Sequence, residues 1–164
     1  LSGDALARRM QDYLRTLDFP TILVASGRED IIASRDALCF VKNGSPRMSR
    51  VTGTGCMATE LLAAFLAVAS GEEVKTLQRR TAGEEAFLQT ENTDSDETAC
   101  GVRTAGEETT FRAAVLATAF MGIAGEIAEE SAPRGSGSYH IALIDALSTM
   151  TAEDIVGRIH LGEA

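Results

Sequence analysis

The sequence has no tryptophan, and its 164 residues include only two Tyr and six Phe. Basic residues are also few: 15 Lys and Arg stand against 24 Asp and Glu, leaving a formal charge of −9. Nucleic-acid backbones are bound by clustered Lys and Arg, so this balance argues against a nucleic-acid partner. It does not exclude an enzyme that handles nucleotides, which needs only local positive potential. No apolar run reaches the roughly 18 to 20 residues that span a bilayer. No basic-then-apolar signal opens the chain. A cytoplasmic location with no membrane partner is therefore the expectation. Cys39, Cys56 and Cys100 are odd in number and lack metal-ligand spacing, and His140 and His160 lie far from them in sequence. Reduced, unpaired thiols and no metal site are the expected reading.

What is present fits one ordinary domain spanning residues 1–164. Apolar residues make up 45% of the chain, enough for a sizeable core. The chain begins at Leu1 rather than Met, which suggests a piece cut from a longer protein. Asp4 to Leu17 reads as an amphipathic helix, with Leu6, Met10, Tyr13, Leu14 and Leu17 near one face. Pro20 stops it. The apolar run Thr21 to Ala25 has the character of a strand buried on both faces, which suggests a parallel sheet under helices. Ile31 to Ala33 and Ala37 to Val41 read as a hairpin-like pair around Ser34-Arg35-Asp36, and Asn43-Gly44-Ser45-Pro46 as a turn.

Three further helices follow: Met57 to Ala69 closed by Gly71, about Thr110 to Glu130, and about Tyr139 to Met150 with Ile141, Ile144 and Leu147 on one side. The first two are apolar almost throughout, so both are expected to be nearly surrounded by protein. Thr151 with Asp154 resembles a capping box for a last short helix. Residues 72–108 differ in character, being acidic, polar and mixed. They contain a duplication, with Arg80-Thr81-Ala82-Gly83-Glu84-Glu85 recurring as Arg103-Thr104-Ala105-Gly106-Glu107-Glu108. Two copies do not make a solenoid. The segment reads as a surface insertion.

The segment Val51-Thr52-Gly53-Thr54-Gly55-Cys56 has the make-up of an anion holder. The first N–H groups of a helix lack internal acceptors, the helix dipole is positive at that end, and glycines let a phosphate approach the backbone. Such donors can stabilise a phosphoryl group in transfer. Gly-x-Gly also serves a plain tight turn. The segment is neither a P-loop, since no Gly-Lys-Ser/Thr follows, nor a dinucleotide fingerprint. Cys56 would occupy the first turn, where donors and dipole favour negative charge. It reads equally as a small buried hydrophobe.

Asn43 to Pro46, then Val51 to Met57, then Ala63-Ala64-Phe65-Leu66-Ala67-Val68 together resemble the hydroxyethylthiazole kinase signature. Gly122 to Ala128, Gly135-Ser136-Gly137-Ser138 and Ala142 to Leu147 match that family too, in order. The resemblance implies a ribokinase-like three-layer α/β/α sandwich, of which this chain is the C-terminal portion with the N-terminal half missing. It implies a homotrimer and the ATP- and Mg²⁺-dependent phosphorylation of 4-methyl-5-(2-hydroxyethyl)thiazole, a thiamine salvage step. By position, Ser26 matches a Thr that contacts ATP and Gly53 a glycine that contacts the thiazole, while Thr54, Gly55 and Cys56 would form the anion hole. Most ribokinase-like enzymes place an Asp base where Cys56 stands; a neutral thiol is a poor acceptor, which suits an assisting role. Ser136 stands where the family usually has Pro. The missing half would carry most thiazole contacts and the acidic residues near Mg²⁺, so the chain alone is expected to be inactive and to expose apolar surface. The alternatives are the sister hydroxymethylpyrimidine kinase, which shares a Gly-Thr-Gly-Cys loop, and a non-catalytic assembly or nucleotide-sensing module.

Overall fold

The computed structural model describes residues 2–70, 105–131 and 134–162. It is a mixed α/β arrangement with an antiparallel sheet in the order β1-β2-β3-β4. The chain runs through α1 (Gly3–Arg15), β1 (Leu23–Ala25), β2 (Asp30–Ala33), β3 (Leu38–Val41), a 3-10 turn (Pro46–Arg50) and α2 (Thr54–Ser70). After the undescribed stretch come α3 (Ala105–Glu130), α4 (Ser136–Thr149), α5 (Ala152–Arg158) and β4 (Leu161–Gly162). Residues 71–104 hold Gly71, Cys100 and most of the acidic, duplicated segment, so those readings lie outside the described residues. The last residues of the second copy, Ala105 to Glu108, form the first turn of α3.

Each apolar strand is covered on both faces, as period-2 alternation requires. Ile31, Ala33 and Phe40 pack on α1 through Ala7, Met10 and Leu14. Ile32, Cys39 and Val41 point the other way, onto Phe111, Ala114, Val115, Ala119 and Ile123 of α3. The reading of Thr21 to Ala25 as a parallel strand is corrected here. β1 pairs antiparallel with β2, Leu23 opposite Ala33 and Ala25 opposite Ile31. A continuous apolar run reports cover on both faces, and helices on both sides supply that cover whatever the strand direction. The β2–β3 hairpin stands as read, tied by Ser34 N donating to Ala37 O at 2.8 Å.

The helices depart from the sequence reading in which side they bury. In α1 the buried stripe is Ala7, Met10 and Leu14, while Leu6 and Tyr13 are exposed. In α4 it is Tyr139, Leu143 and Ala146 that face the core, at helical spacing, and Ile141 and Ile144 that face out. α3 is enclosed as expected. Its span Gly106–Glu130 holds no unbroken apolar run long enough to span a bilayer, yet by helix length and mean composition it could cross a membrane. Its apolar window is 67% buried within the protein, which accounts for its composition by packing. α2 is not enclosed: Ala63, Ala64 and Ala67 are exposed and Val68 is 62% exposed, because no described residue covers that side.

α3 carries the chain segment that follows β3. A Cβ at Gly122 would stand 2.7 Å from Asn43 O and 2.8 Å from Asn43 C, so only glycine admits this backbone. Asn43 is buried, and both ends of its side-chain amide are engaged. Its Nδ2 donates to Arg158 O at 2.8 Å and to both Glu126 carboxylate oxygens at 3.3 Å. Its Oδ1 accepts from His160 N at 2.8 Å. Glu126 Oε1 also accepts from Gly44 N at 2.8 Å, and Ser45 Oγ donates to Glu129. α5 is fixed by the expected capping box, in which Thr151 N donates to Asp154 Oδ2 at 2.9 Å and Asp154 N to Thr151 Oγ1 at 3.3 Å. Arg158 forms a two-pronged pair with Glu130 at 2.6 and 3.0 Å.

Gly122→Ala is expected to destabilise the fold by about 2 kcal/mol through overpacking against backbone. Gly106→Ala, with open space around it, is expected to be neutral or to stabilise by up to about 1 kcal/mol. Asn43→Ala leaves several buried groups without partners and is expected to cost about 3 kcal/mol; urea unfolding measures all three. The Arg158 hydrogen bond holds the Glu130 carboxyl below its ordinary value of 4.5. A lowered carboxylate value gives stability that is present above the unfolded value and lost as pH falls through the folded one. The difference in melting temperature between wild type and Arg158→Gln should therefore shrink as pH drops below 4.5.

Candidate active site

Register places Ser26 at the end of the sheet from which β3 departs. Ala25 lies opposite Ile31 and Asp30 opposite Val41, so the end of β1, the start of β2 and the end of β3 coincide. Ser26 directly follows β1 at that end and is exposed. The turn after it is closed by Gly27 N donating to Asp30 Oδ1 at 2.9 Å. Burial pushes the Asp30 carboxyl up, against the smaller lowering effect of that bond. β3 leaves the same end into Asn43-Gly44-Ser45, anchored on α3, and then into the 3-10 turn and the loop. Ser45 caps the 3-10 turn through its hydroxyl, which accepts from Arg47 N at 3.1 Å.

The loop is held from below and open above. Val51 is buried among Met121, Ala124, Tyr139 and Leu143 of α3 and α4, with Met48, Met57 and Leu61 packed beside it. The Thr54 hydroxyl donates towards Met48 O at 3.2 Å and Val51 O at 3.3 Å, tying the first residue of α2 back to the 3-10 turn. Its side chain is thus spent on shaping the loop. Gly53 has φ +96°, a conformation that L side chains rarely adopt, and a Cβ at Gly53 or Gly55 would meet nothing within 4 Å. Among the described residues, the space above both glycines is open. The first bond of the helix is Met57 N to Gly53 O at 2.9 Å. The N–H groups of Thr54, Gly55 and Cys56 therefore remain as donors at the positive end of a 17-residue helix.

The structure brings Gly53, Thr54, Gly55 and Cys56 together at one helix start, while Ser26 stands at the end of β1, beside the sheet end from which β3 departs. Cys56 is exposed, which removes the buried-hydrophobe reading, whereas Cys39 is buried. Sequence reasoning missed the Asn43–Glu126 anchor, whose partners lie more than 80 residues apart; only the paired glycines of Gly122 and Gly125 hinted that something approaches α3 closely. It also missed Tyr139, which lies under the loop and donates to Gly125 O at 3.0 Å. Burial is the main cause that pushes the Tyr139 phenol up.

Exposure separates the two thiols chemically. Brief iodoacetamide treatment of the folded chain, followed by peptide mass spectrometry, should label Cys56 and leave Cys39 unmodified until denaturant is added.

A family model described as the hydroxyethylthiazole kinase family matches residues 14–99. A hydroxyethylthiazole kinase of Ruminiclostridium cellulolyticum is 34% identical over 137 residues, covering 83% of this chain and 36% of the relative. One from Syntrophus aciditrophicus is 31% identical over 154 residues, 94% of this chain and 41% of the relative. The solved hydroxyethylthiazole kinase structure from Pyrococcus horikoshii OT3 superposes with a TM-score of 0.63 at 25% identity, covering 98% of this chain and 47% of that one. The chain thus spans about two fifths, or less, of the length of these curated relatives. With residues 14–99 matching the family's model and most of its length aligned to such kinases, the chain belongs to the hydroxyethylthiazole kinase family.

Proposed function

We propose that the protein containing this chain phosphorylates the hydroxyl of 4-methyl-5-(2-hydroxyethyl)thiazole with ATP and Mg²⁺, a thiamine salvage reaction in the cytoplasm. In this reading the chain is part of a ribokinase-like three-layer α/β/α enzyme that works as a homotrimer, and it contributes the anion hole. The observation that carries the reading is the start of α2 in a member of this kinase family. Three backbone N–H groups that precede the first helical bond lie there, Gly53 is left-handed, and no side chain of the described residues crowds either glycine.

When bound, ATP supplies the phosphoryl group. The N–H groups of Thr54, Gly55 and Cys56 are aimed where negative charge builds on that group, and preorganised donors of this kind act without reorganising during the reaction. The absent Cβ atoms at Gly53 and Gly55 allow the thiazole alcohol and the phosphoryl oxygens to approach the backbone. The Cys56 thiol points from the first turn as a weak hydrogen-bond partner for the substrate hydroxyl, an assisting role rather than that of a strong base. Ser26 offers a hydroxyl to the nucleotide from the end of β1. Among the described residues no grouping of three His, Cys, Asp or Glu side chains is present. The fit is thus to the anion, and Mg²⁺ would be held mainly through the nucleotide phosphates with carboxylates from elsewhere in the protein.

A coupled ADP-release assay with the thiazole alcohol, ATP and Mg²⁺, on this chain and on the longest natural product containing it, tests the reading. Turnover is expected in the longer protein. There, Cys56→Ala should lower kcat by about 10- to 100-fold while ATP affinity stays nearly constant. An unchanged kcat would remove Cys56 from the mechanism. Preference for the hydroxymethylpyrimidine alcohol would reassign the substrate, and a folded protein with no turnover would favour a non-catalytic module.

A further inference from the structure

Arg47, Arg50 and Arg134 line one cleft of about 120 Å³ together with Gly135, Ser136 and Tyr139. In a chain of net charge −9 this is an uneven concentration of cations. Arg47 has Glu129 nearby, with Nε 3.7 Å from Oε1, and that carboxylate is shared with Ser45. Arg50 and Arg134 are exposed and have no ion-pair partner among the described residues. Glu129 already serves Arg47, which leaves the guanidinium forks of Arg50 and Arg134, whose donors match phosphate oxygens.

The floor of the cleft adds to the same field. It is the start of α4, a 14-residue helix with no acidic residue in its first turn. Gly135 at the N-cap has no side chain to accept from that turn, and its own N–H is the donor to Ser138 Oγ at 3.1 Å. The first bond is Tyr139 N to Gly135 O at 2.9 Å. The N–H groups of Ser136, Gly137 and Ser138 are left as donors, and a Cβ at Gly135 or Gly137 would meet nothing within 4 Å. Ser136, unlike a proline at a first helical position, keeps its N–H at that point. Cations at the positive end of a helix dipole oppose the ordinary arrangement. A bound oxyanion would accept from these guanidiniums and suit the positive end of the helix.

We propose that this cleft binds a phosphoryl oxyanion, either inorganic phosphate or the phosphate of a small molecule, held by Arg50 and Arg134 with Arg47 and capped by the first N–H groups of α4. The site needs no turnover and stands apart from the assignment of the thiazole reaction. Isothermal titration of inorganic phosphate into the full chain, at ionic strength fixed with chloride, is the direct test. Binding should weaken by at least about tenfold in R50Q/R134Q, the loss expected for two charge-assisted contacts. Gly135→Asp supplies a carboxylate at the N-cap, where the backbone is extended and nothing crowds a side chain. It should abolish phosphate binding and raise the melting temperature, so that lost binding cannot be mistaken for lost folding. Phosphate that competes with ATP would identify the ligand as a nucleotide phosphate. Phosphate that binds equally with ATP present would identify a free phosphate or monoester. Equal binding by wild type and R50Q/R134Q, unimpaired binding by Gly135→Asp, or displacement by chloride alone would overturn the proposal.

Discussion

The Asn43 side chain is the constraint on which the site depends. Its amide bridges Glu126 on α3, the last carbonyl of α5 and the backbone that leads into β4. It can do so only because Gly122 lets the Asn43 backbone lie against the helix. Both the donor and the acceptor end of the amide are engaged in a part-buried setting, where an unmade bond would be costly. From that fixed point the chain has only a 3-10 turn to travel before the loop. The position of Gly53 to Cys56 is thus inherited from α3, which packs on the sheet, on α2 and on α4.

Gly125 repeats the device one turn on. A Cβ there would fall 2.5 Å from Met48 Sδ and 3.2 Å from the Tyr139 hydroxyl. Two glycines on one side of α3 therefore seat two successive parts of the chain, the Asn43 turn and the 3-10 turn, while Glu126 and Glu129 accept from the donors in between. Rigid support beneath and open space above is the condition under which backbone N–H groups can act as preorganised anion donors.

The helix starts divide in a way that follows from the same physics. α1, α3 and α5 carry acidic residues in their first turns, and α1 and α5 have side-chain caps. These ends are satisfied by the chain itself. α2 and α4 have neither acid nor side-chain cap at their starts, and glycine takes the cap position. Among the described residues, the start of α4 lies beside the arginines of the cleft and the start of α2 is open. One of these ends carries the family's loop and the other floors the arginine cleft.

Local chemistry was legible in the sequence. The hairpin of Ile31 to Val41, the capping box at Thr151 and the helix starting after Gly53 each depend on residues a few positions apart, so the pattern determined them. The loop's likeness to a thiazole kinase was legible for the same reason. Which side a helix buries was decided by the neighbours. Ile141 and Ile144 face out because Tyr139, Leu143 and Ala146 meet α3. α2 keeps an apolar face uncovered although its sequence reads as buried. Strand direction was decided there too, since apolar runs record cover and not polarity. The Asn43 anchor and the convergence of Arg47, Arg50 and Arg134 join residues some 80 or more positions apart. Such contacts arise from packing, which no local pattern encodes.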